Sequence, residues 1–186
     1  MYRPAGASPP LRATADGRPR RYSRWVPIPE FVTGLRAAVG HDLLWLPGVS
    51  AVVTDDDGRV LLGRRADNGR WAVVSGILDP GEEPAPAALR EVLEETGVVA
   101  EVVALTAVSA GDVITYPNGD RAQYLDLCFW CRHLSGEAHV ADDESLEVGW
   151  FEPDALPEPL NSSSAERLAR TLAHIEGTTT QPWFER

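Results

Sequence analysis

Three glutamates, Glu91, Glu94 and Glu95, stand within the segment REVLEETG, residues 90–97. On an α-helix, where successive residues turn by about 100°, these acids gather on one side. The other side is apolar and is formed by Leu89, Val92, Leu93 and Thr96. We therefore expect the apolar side to pack on the core and the three acids to point outward together.

This group of acids has two interpretations. A solvated helix face usually mixes its charges, because opposite charges three or four residues apart stabilise each other, and Arg90 is the one cation of this segment. Unpaired carboxylates at one spot are instead the oxygen ligands that Mg²⁺ takes, with waters and substrate phosphates in its remaining positions. On spacing alone, a charged surface and a divalent-metal site both remain open.

The loop before this helix, SGILDPGEEP (75–84), brings backbone groups and further acids to the same end of the helix. Loop and helix together satisfy the pattern G-x5-E-x7-R-E-U-x-E-E-x-G-U, where U is aliphatic. The matching residues are Gly76, Glu82, Arg90, Glu91, Val92, Glu94, Glu95, Gly97 and Val98. This pattern is the Nudix box, and the chain resembles the Nudix hydrolase family over about residues 45–158.

The resemblance implies an α/β fold, an α/β/α sandwich around a mixed central sheet, in which the box forms a loop–helix–loop. It also implies Mg²⁺- or Mn²⁺-dependent hydrolysis of a diphosphate linkage in a nucleoside diphosphate linked to another moiety. ADP-ribose, nucleotide sugars and dinucleoside polyphosphates are the expected substrates. The physical chemistry agrees, because metal ions neutralise the diphosphate and lower the pKa of bound water.

Roles for the box residues follow from the same resemblance. Glu94 and Glu95 would be metal ligands, assisted by the backbone carbonyl of Ser75 or Gly76. Glu91 would be a further ligand or the base that activates water.

Two other box residues would act indirectly. Arg90 would orient a neighbouring carboxylate, and Glu82 would support the loop or a second metal. The chain departs from the family pattern in two places. Val74 and Ser75 replace a common Pro-Gly before the box, and Asp79 replaces a usual glutamate.

A further carboxylate often comes from outside the box in this family. Glu144 lies six residues before Trp150, the spacing at which mutator-type members carry a metal-binding glutamate before a strand tryptophan. Asp142, Asp143 and Glu147 are close rivals. A solvated loop before a strand is the alternative.

Candidate substrate contacts are less specific. Tyr116 lies 18 residues after the box, a mark associated with dinucleoside polyphosphates, while Pro117 lies just beyond the window linked with ADP-ribose. The segment TYPNGD is also simply a good hairpin turn. Arg64, Arg65 and Arg70, near strand ends, are candidates for phosphate or ribose contacts, with surface charge as the alternative.

Patterning divides the rest of the chain. We expect an Arg- and Pro-rich flexible arm at 1–24, an amphipathic segment at 25–42, the Nudix domain at 43–160, a C-terminal helix at 161–177 and a tail at 178–186. Strands are predicted at 48–54, 59–65, 71–75, 98–110, 123–134 and 147–151, and helices at 28–39 and 84–96. In the last helix Ser163 and Glu166 have capping-box spacing.

Composition bounds the partners. The 17 basic residues are all arginine, against 28 acidic ones, so the formal net charge of −11 argues against a general nucleic-acid or anionic-membrane binder. Without an apolar run long enough to span a bilayer and without a secretion signal, we expect a cytoplasmic protein. We also expect a small-molecule nucleotide diphosphate substrate and a homodimer, in which the helix at 28–39 packs on its own sheet or on the second subunit.

Three alternatives remain. Cys128 and Cys131 have the spacing of half a zinc site or a redox pair, although a strand would place them on opposite faces as buried thiols. A prenyl-diphosphate isomerase of the same fold would need a catalytic cysteine. A non-catalytic nucleotide-sensing module, or one that binds RNA through the arm, would normally have lost box acids, and here none is lost.

Overall fold

The computed structural model describes residues 29–186; the predicted arm and Ile28, the first residue of the predicted helix at 28–39, lie outside the described residues. The elements in chain order are α1 (Glu30–Val39), β1 (Leu43–Thr54), β2 (Val60–Arg65), β3 (Trp71–Ala72), β4 (Val74–Ile77), α2 (Pro84–Thr96), β5 (Val99–Ala110), β6 (Ile114–Thr115), β7 (Arg121–Ser135), β8 (Ser145–Phe151) and α3 (Ser162–Ile175).

The described strands form one mixed sheet, as predicted. The order is β3-β2-β1-β7-β5, while β4 pairs with β1, β6 with β7 and β8 with β2. Strands β1 and β7 run parallel over twelve residue pairs, and the other pairings are antiparallel. Helix α2 packs on one face and α3 on the other, which gives the predicted α/β/α layering.

The predicted strand at 71–75 is wrong in one respect, because it consists of two short strands. Trp71–Ala72 pairs with β2, whereas Val74–Ile77 pairs with β1. Between them the Val73 amide donates to the Ser164 hydroxyl at 3.2 Å, so it is taken up by α3 instead of a neighbouring strand. This change of partner pairs the start of the box, Gly76 of β4, with the central strand β1.

Helix α2 begins and ends at the residues that its start and stop signals predict. Pro84 occupies its first turn, where the missing amide hydrogen is not needed. Gly97 ends it with a left-handed φ of 70°, and its amide donates to the Leu93 carbonyl. A side chain at Gly97 would also collide with the His139 ring, because an added Cβ would lie 2.1 Å from it.

Helix α3 has a different start from the one predicted. Its N-cap is Asn161, whose side-chain oxygen accepts from the Ser163 amide at 3.1 Å. Ser163 therefore lies inside the helix, and the predicted capping box with Glu166 is wrong. Glu166 instead pairs with Arg170 one turn later.

The two cysteines are free and buried, as the strand pattern predicts. Cys131 packs in the cluster under α2, while Cys128 packs with Leu168 of α3 on the opposite face. Burial raises the pKa of both thiols, to about 12 for Cys131. Within residues 29–186, no helix combines the length and apolarity needed to cross a bilayer.

Helix α1 packs on its own sheet, one of the two expected arrangements. Val32 is 5% exposed and lies against Leu46 of β1 and Ala122 of β7. The end of the helix is held by the Arg36 guanidinium, which donates to the Asp42 and Arg121 carbonyls at 2.6 Å each. Val32 and Arg36 together therefore hold the helix at a set position over the sheet.

Candidate active site

The start of the box and helix α2 are in direct contact. Gly76 of β4 pairs with Val49 of β1 and lies beside the Glu91 carboxylate. A Cβ added at Gly76 would lie 2.0 Å from Glu91 Oε1. Only glycine leaves room for this approach, which explains why the box begins with that residue.

Glu95 is buried, which corrects the expectation that the three acids point outward. It is 9% exposed, whereas Leu93 is 49% exposed. The buried side of α2 consists of small or short side chains around Glu95, namely Ala87, Ala88, Val92 and Thr96. Val92 and Thr96 are buried as predicted and Leu89 packs partly on the core, so the prediction is wrong only for the exposed Leu93 and the buried Glu95.

Burial has a clear electrostatic effect on Glu95. Desolvation raises its pKa well above the usual value, and the charges of Glu144, Glu91 and Asp142 raise it further, while Arg65 opposes them. In residues 29–186 the Glu95 carboxylate has no hydrogen-bond or ion-pair partner. It is a buried acid among other acids.

Arg90 binds three box carboxylates. Its guanidinium donates to both oxygens of Glu82, at 2.8 and 3.0 Å, to Glu91 at 2.9 Å and to Glu94 at 3.0 Å. The spacing had suggested that Glu91 and Glu94 are unpaired, but both carboxylates pair with Arg90. The hydrogen bonds with Glu82 contribute most to raising the Arg90 pKa, and in return the Arg90 hydrogen bond lowers the Glu82 pKa.

The loop before β8 brings Glu144 towards the box. The Glu144 carbonyl accepts from the Ala66 amide at 2.8 Å, and its amide donates to the Asp142 carboxylate at 2.8 Å. Burial, followed by the charges of Asp142 and Glu91, raises the pKa of the Glu144 carboxyl to about 7. The rival Glu147 lies elsewhere, because it pairs with Arg64 at 2.9 Å.

A cleft of about 890 Å³ lies beside these acids, although Glu95 itself is not among the residues that line it. Its lining consists of Pro29, Glu30, Phe31, Ile77, Asp79, Arg90, Glu91, Glu94, Asp142 and Glu144. The carboxylate oxygens of the acidic lining residues are ligands that suit a hard divalent cation. In the described part of the chain, however, no three His, Cys, Asp or Glu side chains are already gathered tightly enough to hold a metal ion. The carboxylates line the cleft without converging on one point.

The predicted substrate residues lie in different places. Arg65 is bonded to Asp67, but its charge also acts on Glu95 and Glu144, so it stands near the acids. Burial lowers the pKa of Arg65, and the hydrogen bond and charge of Asp67 raise it. The net result is a raised pKa.

The other candidates contact groups outside the acidic cluster. Arg64 binds Glu147, and Arg70 donates to the Leu160 carbonyl at 3.4 Å. Tyr116 does not line the cleft; its hydroxyl lies 2.9 Å from that of Tyr124.

Sequence patterning did not identify the contribution of α1 to the cleft. Phe31 is recognisable in the sequence only as one apolar position of an amphipathic helix. Its neighbour Glu30 carries no motif at all. No local signal distinguishes a helical residue that packs on the core from one that also borders a distant loop.

Comparison with known proteins agrees with this architecture. The NUDIX domain model matches residues 44–171, slightly more than the span predicted from the box and strands. A MutT-like protein of Streptomyces ambofaciens is 40% identical over 124 residues, covering 67% of this chain and 75% of that protein. An RNA pyrophosphohydrolase of Novosphingobium aromaticivorans is 35% identical over 133 residues, with coverage of 62% and 83%.

A solved structure shows the same arrangement. The MutT NUDIX hydrolase from Burkholderia pseudomallei superposes with a TM-score of 0.58 at 30% identity, and the match covers 68% of this chain and 98% of that one. The family match extends over more than half of the chain and includes the box, helix α2 and most of helix α3. The chain therefore belongs to the Nudix family of hydrolases that act on pyrophosphate bonds.

Proposed function

We propose that this protein hydrolyses the diphosphate linkage of a nucleoside diphosphate joined to another moiety, with Mg²⁺ or Mn²⁺ as cofactor. The observation that carries the proposal is Glu95, a buried residue whose carboxylate has no partner in residues 29–186 and lies next to the charges of Glu91 and Glu144. Burying such a charge costs free energy unless a cation compensates it. A hard cation bound by these oxygens would supply the compensation.

The residues that would hold the cation are Glu91, Glu94, Glu95 and Glu144, with the Ser75 or Gly76 carbonyl. When bound, a divalent cation polarises the diphosphate and lowers the pKa of attacking water.

The chain's own residues then have separate tasks. Arg90 keeps the Glu91 and Glu94 carboxylates in place through its two hydrogen bonds to them. Burial raises the pKa of Glu91 and Glu144, which suits either of them to accept the proton of the water at neutral pH.

Arg65 is the best candidate for a direct contact with substrate phosphate. Its charge acts on the acids of the site, and a guanidinium can bind two phosphate oxygens at once. We keep ADP-ribose, nucleotide sugars and dinucleoside polyphosphates as the substrate set. The relative named RNA pyrophosphohydrolase supports, by its name, the proposal that a pyrophosphate bond is cleaved.

A substrate panel tests the proposal. Nucleoside diphosphate derivatives are incubated with Mg²⁺ or Mn²⁺, and the products are resolved by ³¹P NMR. Wild-type protein and Glu176→Gln, an exposed acid at the end of α3, should turn over at least one substrate. Glu94→Gln and Glu95→Gln should be far slower. If wild type is no faster than Glu95→Gln on every substrate, a non-catalytic nucleotide-sensing or RNA-binding module becomes the better explanation.

The positions of the two cysteines argue against the prenyl-diphosphate isomerase alternative. Both thiols are buried in the core, on either side of the sheet, and neither lines the cleft. Burial raises their pKa values, which disfavours the thiolate form that cysteine chemistry needs.

We further propose that the protein works as a cytoplasmic homodimer with a small-molecule substrate. Exposed apolar residues on α1, such as Leu35 and Val39, offer one surface for a second subunit. Light scattering coupled to size-exclusion chromatography would measure the mass. A monomer at micromolar concentration would contradict the dimer without affecting the proposed reaction.

A further inference from the structure

Helix α1 precedes the part of the chain that the family model matches, yet it borders the cleft. The match begins at residue 44, whereas Pro29, Glu30 and Phe31 all line the cleft. Together with Ile77, Pro29 and Phe31 form an apolar wall. Apart from Glu30, the remaining lining residues are the charged side chains of the box and of the loop before β8.

Phe31 is held firmly in this apolar wall. It packs against the buried cluster of Val32, Leu46 and Ala122. Arg36 ties the end of the helix to the sheet through two carbonyls and lies 3.6 Å from Asp120. The ring is half-buried, so part of it remains free towards the cleft.

The two sides of the cleft favour different parts of a substrate. The acidic side suits a diphosphate only together with cations, while the apolar wall suits an uncharged planar group. Phe31 is the only aromatic residue of the described chain that lines this cleft. Bases stack on aromatic side chains whatever their sequence, because every base has a π-face. The cleft volume of about 890 Å³ lies within the usual range for small-molecule sites.

We propose that Phe31 is a specificity-determining residue whose ring holds the nucleobase of the substrate in the cleft that Ile77 also lines. The inference rests on the proposed function, in which the diphosphate of the same substrate lies at Glu91, Glu94 and Glu144. It assigns the chemical class of the group that the cleft selects, a purine or pyrimidine base. Removing the stacking surface should weaken nucleotide binding by about 5- to 100-fold.

The test compares ligands with and without a base. Phe31→Leu keeps an apolar side chain against the cluster of Val32, Leu46 and Ala122 but removes the ring face, and Phe31→Trp keeps an aromatic surface. Binding of ADP, GDP and inorganic tripolyphosphate is measured by calorimetry with Mg²⁺ present. The Leu variant should bind ADP or GDP about tenfold more weakly and tripolyphosphate within twofold of wild type, whereas the Trp variant should bind all three ligands nearly as wild type does.

Leu35→Ala is the matched control, because Leu35 lies on the same helix but is exposed and does not line the cleft. It should leave all three affinities unchanged. Circular dichroism shows whether each variant is folded. For a hydrolysed nucleotide, Phe31→Leu should raise KM with kcat within about threefold, as expected when binding common to ground and transition states is lost.

Two results would overturn the inference. One is an unchanged nucleotide affinity in folded Phe31→Leu; the other is an equal loss for tripolyphosphate, which would place the effect on the phosphates. These outcomes differ from failure of the proposed function. A wild-type protein that binds nucleotides through Phe31 but hydrolyses none would remove the reaction and keep the base site.

Discussion

Two carboxylates are buried on opposite sides of the sheet, and their surroundings differ. Asp126 of β7, 4% exposed, accepts from the Ser50 hydroxyl at 2.6 Å and from Arg167 of α3 at 2.9 Å. Glu95 of α2, 9% exposed, has no such partner in residues 29–186 and faces the charges of other acids. A buried charge is destabilising unless it is paired and hydrogen-bonded. Asp126 therefore serves the fold, whereas Glu95 fits the proposed metal-binding role.

The largest effect that we expect from this difference between the two carboxylates is on the rate of hydrolysis. Glu95→Gln removes one negative charge from the site and should lower the hydrolysis rate by about 10³-fold or more, equivalent to at least about 4 kcal/mol. Without divalent cations it should not lower the free energy of unfolding, because it relieves a buried charge. Rates and urea titrations of wild type, Glu95→Gln and the control Glu176→Gln measure both quantities. Loss of stability in Glu95→Gln would mean that the carboxylate serves the fold after all.

The second prediction concerns the opposite side of the sheet. Arg167→Ala leaves the Asp126 carboxylate buried without its charged partner and should lower the free energy of unfolding by about 3 kcal/mol. The folded fraction should keep near-normal activity, because Arg167 does not line the cleft. Adding Asp126→Asn to the same chain should recover part of the loss, since the unpaired charge is then gone. Urea unfolding that shows no loss in Arg167→Ala would contradict the structural role.

A smaller effect distinguishes two adjacent arginines. Arg65→Ala should raise KM for a diphosphate substrate about tenfold, as expected for one lost charge-assisted contact of roughly 1.4 kcal/mol. Arg64→Ala is its matched control and should change KM less than twofold, because Arg65, and not Arg64, is the one of the two whose charge acts on Glu95 and Glu144. Steady-state kinetics of both variants decide between them. Equal effects would show that strand position, and not proximity to the acids, sets the contact.

The smallest prediction is a pH dependence in the presence of a chelator. The folded-state pKa values of Glu95 and Glu144 lie above the usual value for glutamate, the latter at about 7. Folding therefore favours their protonated forms, and the stability present below about pH 4.5 is lost as the pH rises towards 7 and beyond. Wild-type Tm should fall between pH 5 and 8, and Glu144→Gln should lose about 3 °C less. Parallel melting profiles would contradict the raised pKa of Glu144.

Much of the fold was predictable because local chemistry decides it. Pro84 and Gly97 mark both ends of α2, and the alternation in β7 places Cys128 and Cys131 on opposite faces. The sequence also identifies the box acids and Glu144 as candidates. Their grouping beside one cleft, however, depends on the chain reversing between β7 and β8, which no local pattern encodes.

The orientation of α2 shows why the rest could not be predicted. A helical projection assumes that the largest apolar residues face the core, so Leu93 seemed buried and Glu95 exposed. The sheet instead accepts Ala87 and Ala88, whose small size lets the helix approach closely, and this rotates Glu95 inward. The place of Phe31 in the cleft likewise depends on packing between distant parts of the chain.

Calorimetric titration with Mg²⁺ and Mn²⁺ tests the central claim most directly, because it measures cation binding without requiring the right substrate. Wild type and Asp126→Asn, each confirmed as folded by circular dichroism, should bind the cation with similar affinity. Glu95→Gln should bind it at least about tenfold more weakly, a difference of roughly 1.4 kcal/mol. Equal binding by wild type and Glu95→Gln would contradict the claim that Glu95, unpartnered within residues 29–186, is kept for a metal ion.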